Sequence, residues 1–336
     1  MFRKFKFFAQ SFEEQKDIVR EFWGDVAVIL EEQDFSSEFK VELASLPVEF
    51  TKAKKNFFSV LFIAVLKILN LDEEKCRLYS YINHLFRVWV TSADNLLDDE
   101  DKVTIPLVMP NDSRVMRQVV AIMLADRILS KKLHSAFVDG IINSEELERI
   151  SDSTLKVLLP AAAEEGMEEG GISSWPTPDE VLENIHPIKT GILFHIPFMG
   201  PELIEKDIDL ELLHSLKDSL MDFGLACQLL DDIKDFSLDF NERRVNYLIS
   251  LILSSGTYNE DEIATTLSLG INFPAGEFPH ELDILVAKSM ELFTSSLQVL
   301  DRVGVNGVYR MRKLIVRMLI KQLNVSEIKN KALKLL

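Results

Sequence analysis

Cysteine, positive charge and unbroken hydrophobic runs are all scarce in this 336-residue chain. The two cysteines, Cys76 and Cys227, stand far apart and without metal-ligand spacing. That excludes a disulfide framework and a zinc site and fits a reducing, cytoplasmic setting. Thirty-seven Lys and Arg against 54 Asp and Glu leave a net charge of −17, which argues against a nucleic-acid surface. The longest apolar stretch, Phe57 to Leu71, is interrupted by Lys67. It falls short of the roughly 20 residues a membrane-spanning helix needs, so no span is expected. The basic, aromatic N-terminal segment, residues 1–10, lacks the apolar run and cleavage site of a secretory signal, but it could make peripheral contact with a membrane surface.

Strand-like alternation is also scarce. What fills the chain is helix-period hydrophobicity, over roughly 11–32, 53–70, 73–100, 112–131, 143–164, 179–197, 209–238, 243–255, 260–270, 281–303 and 306–334. Pro and Gly fall mainly between these segments, as at Pro106, Pro110, Gly170-Gly171, Pro176, Gly200-Pro201 and Pro274. With 47% hydrophobic residues, no short repeat and no linker-like stretch, the expectation is one all-α domain, a helical bundle over residues 1–336.

Two acidic clusters stand out. The first is Asp94-Asn95-Leu96-Leu97-Asp98-Asp99-Glu100; the second is Gln228-Leu229-Leu230-Asp231-Asp232-Ile233-Lys234-Asp235. Residues four apart share a helix face, so Asp94 pairs with Asp98 and Asp231 with Asp235. Each cluster is expected near the C-terminal end of a long helix, where carboxylates meet the negative end of the dipole at a cost of roughly 0.3–1 kcal/mol apiece. Stability alone would not choose that arrangement, and a bound cation would reverse it. Oxygen ligands without Cys or His point to Mg²⁺, which bridges readily to phosphate oxygens. Two such faces opposed across a helical cavity would grip a diphosphate from both sides. The plain alternative is two solvated acidic helix ends in an acidic protein.

These residues resemble those of the class I isoprenoid synthase superfamily, most of all its polyprenyl synthetase branch, the trans-prenyltransferases, over roughly residues 50–240. The strongest part is Phe223-Gly224-Leu225-Ala226-Cys227-Gln228-Leu229-Leu230-Asp231-Asp232-Ile233-Lys234-Asp235, which is similar to the second aspartate-rich motif with its upstream glutamine. Lys189-Thr190-Gly191 looks like the lysine-threonine segment at a break in a central helix. The resemblance implies the isoprenoid synthase bundle with a central cavity and a homodimer. It also implies a cluster of up to three Mg²⁺ held by Asp94, Asp98, Asp231, Asp232 and Asp235. Lys189 and Thr190 would contact the diphosphate of an allylic prenyl substrate, with Gln228 as a polar orienting group. Asp239 joins Asp231 and Asp235 at i, i+4 and i+8, the spacing of the second metal motif in class I terpene cyclases.

Several positions depart from the prenyltransferase pattern. Asn95 replaces the second aspartate of the first motif, though it could still coordinate through oxygen. No arginine pair follows the first cluster, where the chain reads Asp101-Lys102-Val103-Thr104-Ile105-Pro106. The upstream segment that helps bind isopentenyl diphosphate is reduced to Ala53-Lys54-Lys55-Asn56-Phe57-Phe58, and Arg87 replaces a histidine. Lys54, Lys55 and Arg87 could be remnants of that second cationic pocket. Trp89, five residues before Asp94, could cap the hydrocarbon tail or face a carbocation with its ring. Phe86, Phe194, Phe198 and Phe223 are candidates for the same wall, with core packing as the alternative.

The reading favoured by these departures is a lyase, a terpene synthase that ionises one allylic diphosphate and lets the cation cyclise or lose a proton. The alternatives are chain elongation with isopentenyl diphosphate, head-to-head condensation, and a non-catalytic regulatory subunit of a prenyl diphosphate synthase.

Overall fold

The computed structural model describes residues 6–31, 40–52, 55–98 and 100–336. Its helices in chain order are α1 (Lys6–Glu31), α2 (Phe57–Ile68), α3 (Glu73–Leu97), α4 (Arg114–Val138), α5 (Ser144–Lys156), α6 (Leu159–Glu168), α7 (Pro178–Glu180) and α8 (His186–Lys189). They continue as α9 (Met199–Ile204), α10 (Leu210–Lys234), α11 (Phe236–Glu242), α12 (Tyr247–Ser254), α13 (Glu260–Ser268), α14 (Pro279–Val303), α15 (Arg312–Gln322) and α16 (Lys329–Leu335). The one sheet among the described residues is a two-residue antiparallel ribbon, β1 (Glu42–Leu43) against β2 (Leu107–Val108). The fold is all-α, as the hydrophobic period predicts. No helix of the described residues is long and apolar enough to cross a membrane. Residues 1–5 of the basic N-terminal segment lie outside the described residues, and from Lys6 onward the segment is the first turn and more of α1.

Proline decides where single predicted segments split. The segment expected over 179–197 is α7, a π-helical turn over Val181–Ile185, α8, and a 3₁₀ stretch over Gly191–Phe198. Pro187 and Pro197 lack the N–H that a continuous helix would use there. Pro160 likewise stands in the first turn of α6 and separates it from α5.

The chain forms two compact units, Met1–Ser153 with Ile196–Ile208, and Thr154–His195 with Asp209–Leu336. In the first, α3 packs against α1, α2 and α4 around Ile18, Leu61, Ile82 and Ile128. Asp72 starts α3 by accepting from the backbone N–H groups of Glu74 and Lys75 at 3.0 and 3.2 Å. The helix then runs without Pro or Gly until Asp98 closes it, so the first acidic cluster does lie at a helix C-terminus.

In the second unit α10 and α14 pack along their lengths, burying Leu216, Leu220 and Phe223 with Leu285, Phe293 and Leu297. Each such side chain stabilises the fold by roughly 1.5–3 kcal/mol. Two serines brace the seam, Ser219 donating to the Ser296 carbonyl and Ser289 to that of Ala226, at 2.9 and 2.8 Å. Asp209 caps α10 through the Leu212 N–H at 3.0 Å, and α10 ends at Lys234, where Asp235 turns the chain into α11. The second cluster is thus also a helix end.

Candidate metal and diphosphate sites

In the first unit the end of α3 gathers carboxylates. Asp94, Asp98 and Glu100 each bring one oxygen to within 4.8 Å of the others. Asp99 lies outside the described residues. Asn95, next to Asp94, turns away from this group. It is 2% exposed; its amide donates to the Lys102 carbonyl at 2.7 Å, and its oxygen accepts from the Lys102 N–H at 3.2 Å. The expected coordinating oxygen is therefore spent on the backbone. This two-point clasp holds the Lys102 backbone against α3, and the Lys102 ammonium lies 3.6 Å from Asp94 and pairs with Glu100.

The same unit holds two cations with little counter-charge. Arg87 donates to Asn56 Oδ1 at 2.7 Å and reaches the Ser59 hydroxyl at 3.4 Å. Burial lowers its guanidinium to about 10. Lys55 donates to the Val103 carbonyl at 3.2 Å and lies 3.4 Å from the centre of the Phe50 ring. Burial, and after it the charge of Arg87, lower this lysine to about 8, against a smaller opposing pull from Glu49. No carboxylate among the described residues forms an ion pair with either group. Lys54 lies outside the described residues. Trp89 stacks on Phe86 at 6.2 Å and is the more exposed of the two, Phe86 being core.

In the second unit the equivalent aspartates are distributed instead of gathered. Asp231 and Asp235 stay partly exposed at 3.7 and 3.0 Å from Lys234. Asp232 points inward and is 1% exposed. One of its oxygens accepts from Gln228 at 2.9 Å; the other meets His186 Nε2 at 2.8 Å and the Tyr247 N–H at 2.7 Å. Gln228 in turn accepts from the Thr190 hydroxyl. Asp239 accepts from the Asn246 amide at 2.7 Å, and burial holds its carboxyl well above the usual carboxylate range. Asp232 and Asp239 are tied into the unit's own hydrogen bonding, through donors from α8, α10 and the start of α12.

Lys189 is similarly engaged. It is 2.9 Å from Glu168 and 3.6 Å from Glu165, both on α6, and Glu168 also accepts from the Val245 N–H at 3.0 Å. Burial lowers the protonation of Lys189, but the three carboxylates of α6 outweigh it and hold the ammonium above its ordinary value. Their neighbour Glu164 is pushed up to about 9 by burial and by its hydrogen bond to Glu168.

Two glycines make room at this point. A Cβ on Gly224 would come 2.5 Å from the Phe194 ring, and one on Gly191 would strike the Met221 sulfur. Phe223, wholly buried against Phe293 at 4.9 Å, and Phe198 are core, as the alternative reading had it.

Sequence reasoning placed Glu100 in the first cluster without assigning it a ligand role, and missed Lys102, Glu168 and His186. Lys102 could have been found from its place two residues beyond the cluster. His186 and Glu168 carry no local signal, since they reach the site only through packing.

No protein-family model matches the chain, and no curated protein matches it in sequence. Solved structures do match in shape. A decaprenyl diphosphate synthase from Rhodobacter capsulatus superposes with a TM-score of 0.63 at 12% identity, covering 96% of this chain and 98% of that one. The fold is that of the polyprenyl diphosphate synthases. The same polyprenyl synthetase fold is seen in a geranylgeranyl pyrophosphate synthetase from the archaeon Geoglobus acetivorans, with a TM-score of 0.58, 14% identity and coverage of 91% and 99%. It recurs in a geranylgeranyl pyrophosphate synthase from Corynebacterium glutamicum complexed with isoprenyl diphosphate and magnesium, with a TM-score of 0.59, 15% identity and coverage of 93% and 98%.

Proposed function

We propose that this chain is a prenyl diphosphate synthase that joins an allylic prenyl diphosphate to isopentenyl diphosphate. The observation that carries the reading is the Lys55 and Arg87 pair. Two partly buried cations, with Arg87 lowering Lys55 and no carboxylate among the described residues ion-paired to either, are held at a cost that a bound anion would remove. A second diphosphate is such an anion. Cyclisation of a single substrate needs no such pocket, and the solved structures of this fold named above are prenyl diphosphate synthases.

The donor set at the end of α3, three carboxylates and no Cys or His, fits Mg²⁺. Asp94, Asp98 and Glu100 would hold metal there, with Asp231 and Asp235 as the exposed carboxylates of the second unit. Bound Mg²⁺ would neutralise the diphosphate as its bond to the allylic carbon breaks. The diphosphate leaves with the electron pair; the isopentenyl double bond supplies the new C–C bond, and a proton is lost. Lys55 and Arg87 would hold the isopentenyl diphosphate, while Trp89 offers a ring face for the hydrocarbon or the developing cation.

The terpene synthase reading keeps one observation in its favour, the absence of an arginine pair after the first cluster. The deciding experiment supplies purified protein and Mg²⁺ with geranyl, farnesyl, geranylgeranyl and longer diphosphates, each with and without isopentenyl diphosphate. Phosphatase-released alcohols and hydrocarbons are identified by mass spectrometry. Longer prenyl alcohols that require isopentenyl diphosphate are expected, and Arg87→Ala should raise KM for isopentenyl diphosphate roughly 10- to 100-fold, the worth of one charge-assisted contact. Hydrocarbon formed from the allylic substrate alone would sink the elongation reading. Absence of any product, with no diphosphate-dependent thermal stabilisation, would leave the regulatory subunit.

A further inference from the structure

Lys102 lies against the first acidic cluster. Its ammonium lies 3.6 Å from Asp94 and pairs with Glu100, two of the three carboxylates gathered there. The position is built into the backbone, since buried Asn95 grips both the N–H and the C=O of Lys102. An aspartate at 95 could accept from the N–H but could not donate to the C=O, so Asn95 is what makes the clasp two-sided. The Lys102 side chain itself is half exposed and is carried on a flexible four-carbon stem. It can leave the cluster without the clasp opening.

We propose that Lys102 is a tethered counter-cation that competes with metal for the Asp94, Asp98 and Glu100 cluster, so that this site takes up divalent metal weakly alone and strongly together with a diphosphate. Three carboxylates with an ammonium beside them attract a divalent cation less than the same three without it. A diphosphate arriving with the metal gives the displaced ammonium a new anionic partner, so metal and diphosphate favour one another's binding. The inference rests on the metal-dependent reading above and deepens it.

The test titrates Mn²⁺, as the paramagnetic stand-in for Mg²⁺, into wild-type protein, Lys102→Met, Lys102→Arg and the Asp94→Asn/Asp98→Asn double variant. Bound ion is followed by electron paramagnetic resonance, with and without inorganic diphosphate. Lys102→Met should bind Mn²⁺ alone roughly two- to fivefold tighter than wild type, the worth of about one exposed ion pair, and lose most of the enhancement that diphosphate gives. Lys102→Arg should behave like wild type. If Lys102→Met binds Mn²⁺ no tighter than wild type while the double variant loses binding, the tethered-cation inference is overturned and the metal site stands. If the double variant binds as wild type does, the metal reading of this cluster fails and the inference fails with it.

Discussion

The two helix ends that carry aspartates at i and i+4 look alike in sequence and differ in what surrounds them. At the end of α3 three carboxylates converge, with Lys102 beside two of them. At the end of α10 two carboxylates stay outside beside Lys234, while Asp232 and Asp239 are drawn inward by His186, Gln228, Tyr247 and Asn246. An aspartate-rich spacing is therefore either a ligand set or a structural knot, according to whether neighbouring elements bring donors to it. Asp232 shows this most clearly, since His186, Gln228 and the Tyr247 N–H all lie in its own unit and it is 1% exposed.

The largest way to break the contrast is to neutralise one end at a time. Asp94→Asn with Asp98→Asn should lower kcat by roughly 10²–10⁴-fold, as expected when several kcal/mol of charge stabilisation are lost. The thermal midpoint without metal should be unchanged or raised, because like charges are removed. Steady-state kinetics beside a melting curve checks both halves. Retained turnover would remove the α3 end from the chemistry.

A smaller effect is expected within the second unit, and of a different kind. Asp232→Ala should destabilise the protein by about 1–3 kcal/mol, because His186 and the Tyr247 N–H lose their partner inside the core. Denaturant unfolding measures that loss. Mn²⁺ titration of the folded variant should match wild type, and a weakened titration would return Asp232 to the ligands.

The smallest expected effects concern pH, and they set the units apart again. Burial, with Arg87 adding to it, pushes His84 in the first unit down to about 3, below its ordinary 6.5. The folded state refuses a proton that the unfolded chain accepts, so stability is full above about 6.5 and is lost as pH falls toward 3. Glu164 in the second unit has the opposite sign. Its folded value of about 9 stands above its ordinary 4.5, so its contribution is present below 4.5 and is lost as pH rises toward 9. Thermal midpoints measured across pH should fall on both sides. Glu164→Gln should flatten only the alkaline limb and His84→Gln only the acid one; a variant that flattens the other limb would refute its assignment.

Much of this architecture is legible in the chain itself. The hydrophobic period places nearly every helix, and the absence of Pro and Gly between Asp72 and Glu100 correctly puts the first cluster at a helix end. Gly224 and Gly191 were legible as motif members, and their reason is steric, an aromatic ring and a sulfur against α10 and the break before it. The fate of Asp232 was only partly legible, since Gln228 stands one turn before it but His186 and Tyr247 stand 46 residues before it and 15 after, and only folding brings those together. The clasp made by Asn95 was not legible for a related reason. Its chemistry as a possible ligand was visible, but the backbone of Lys102, seven residues on, competes for both ends of its amide. The elongation and cyclisation readings divided on Arg87 and Lys55, whose types are visible in the sequence but whose closeness, without an ion-paired carboxylate among the described residues, is not.

Asn246 has a consequence for anyone who maps this protein by mutation. Its oxygen caps α12 through Leu248 and Ile249, while its amide holds the Asp232 carbonyl and the Asp239 carboxylate. A screen scored only on product would rank Asn246 among the catalytic positions. A parallel screen scored on abundance would show it failing there as well, and it is the agreement of the two scores that would mark it as a hinge pin and not a chemical group.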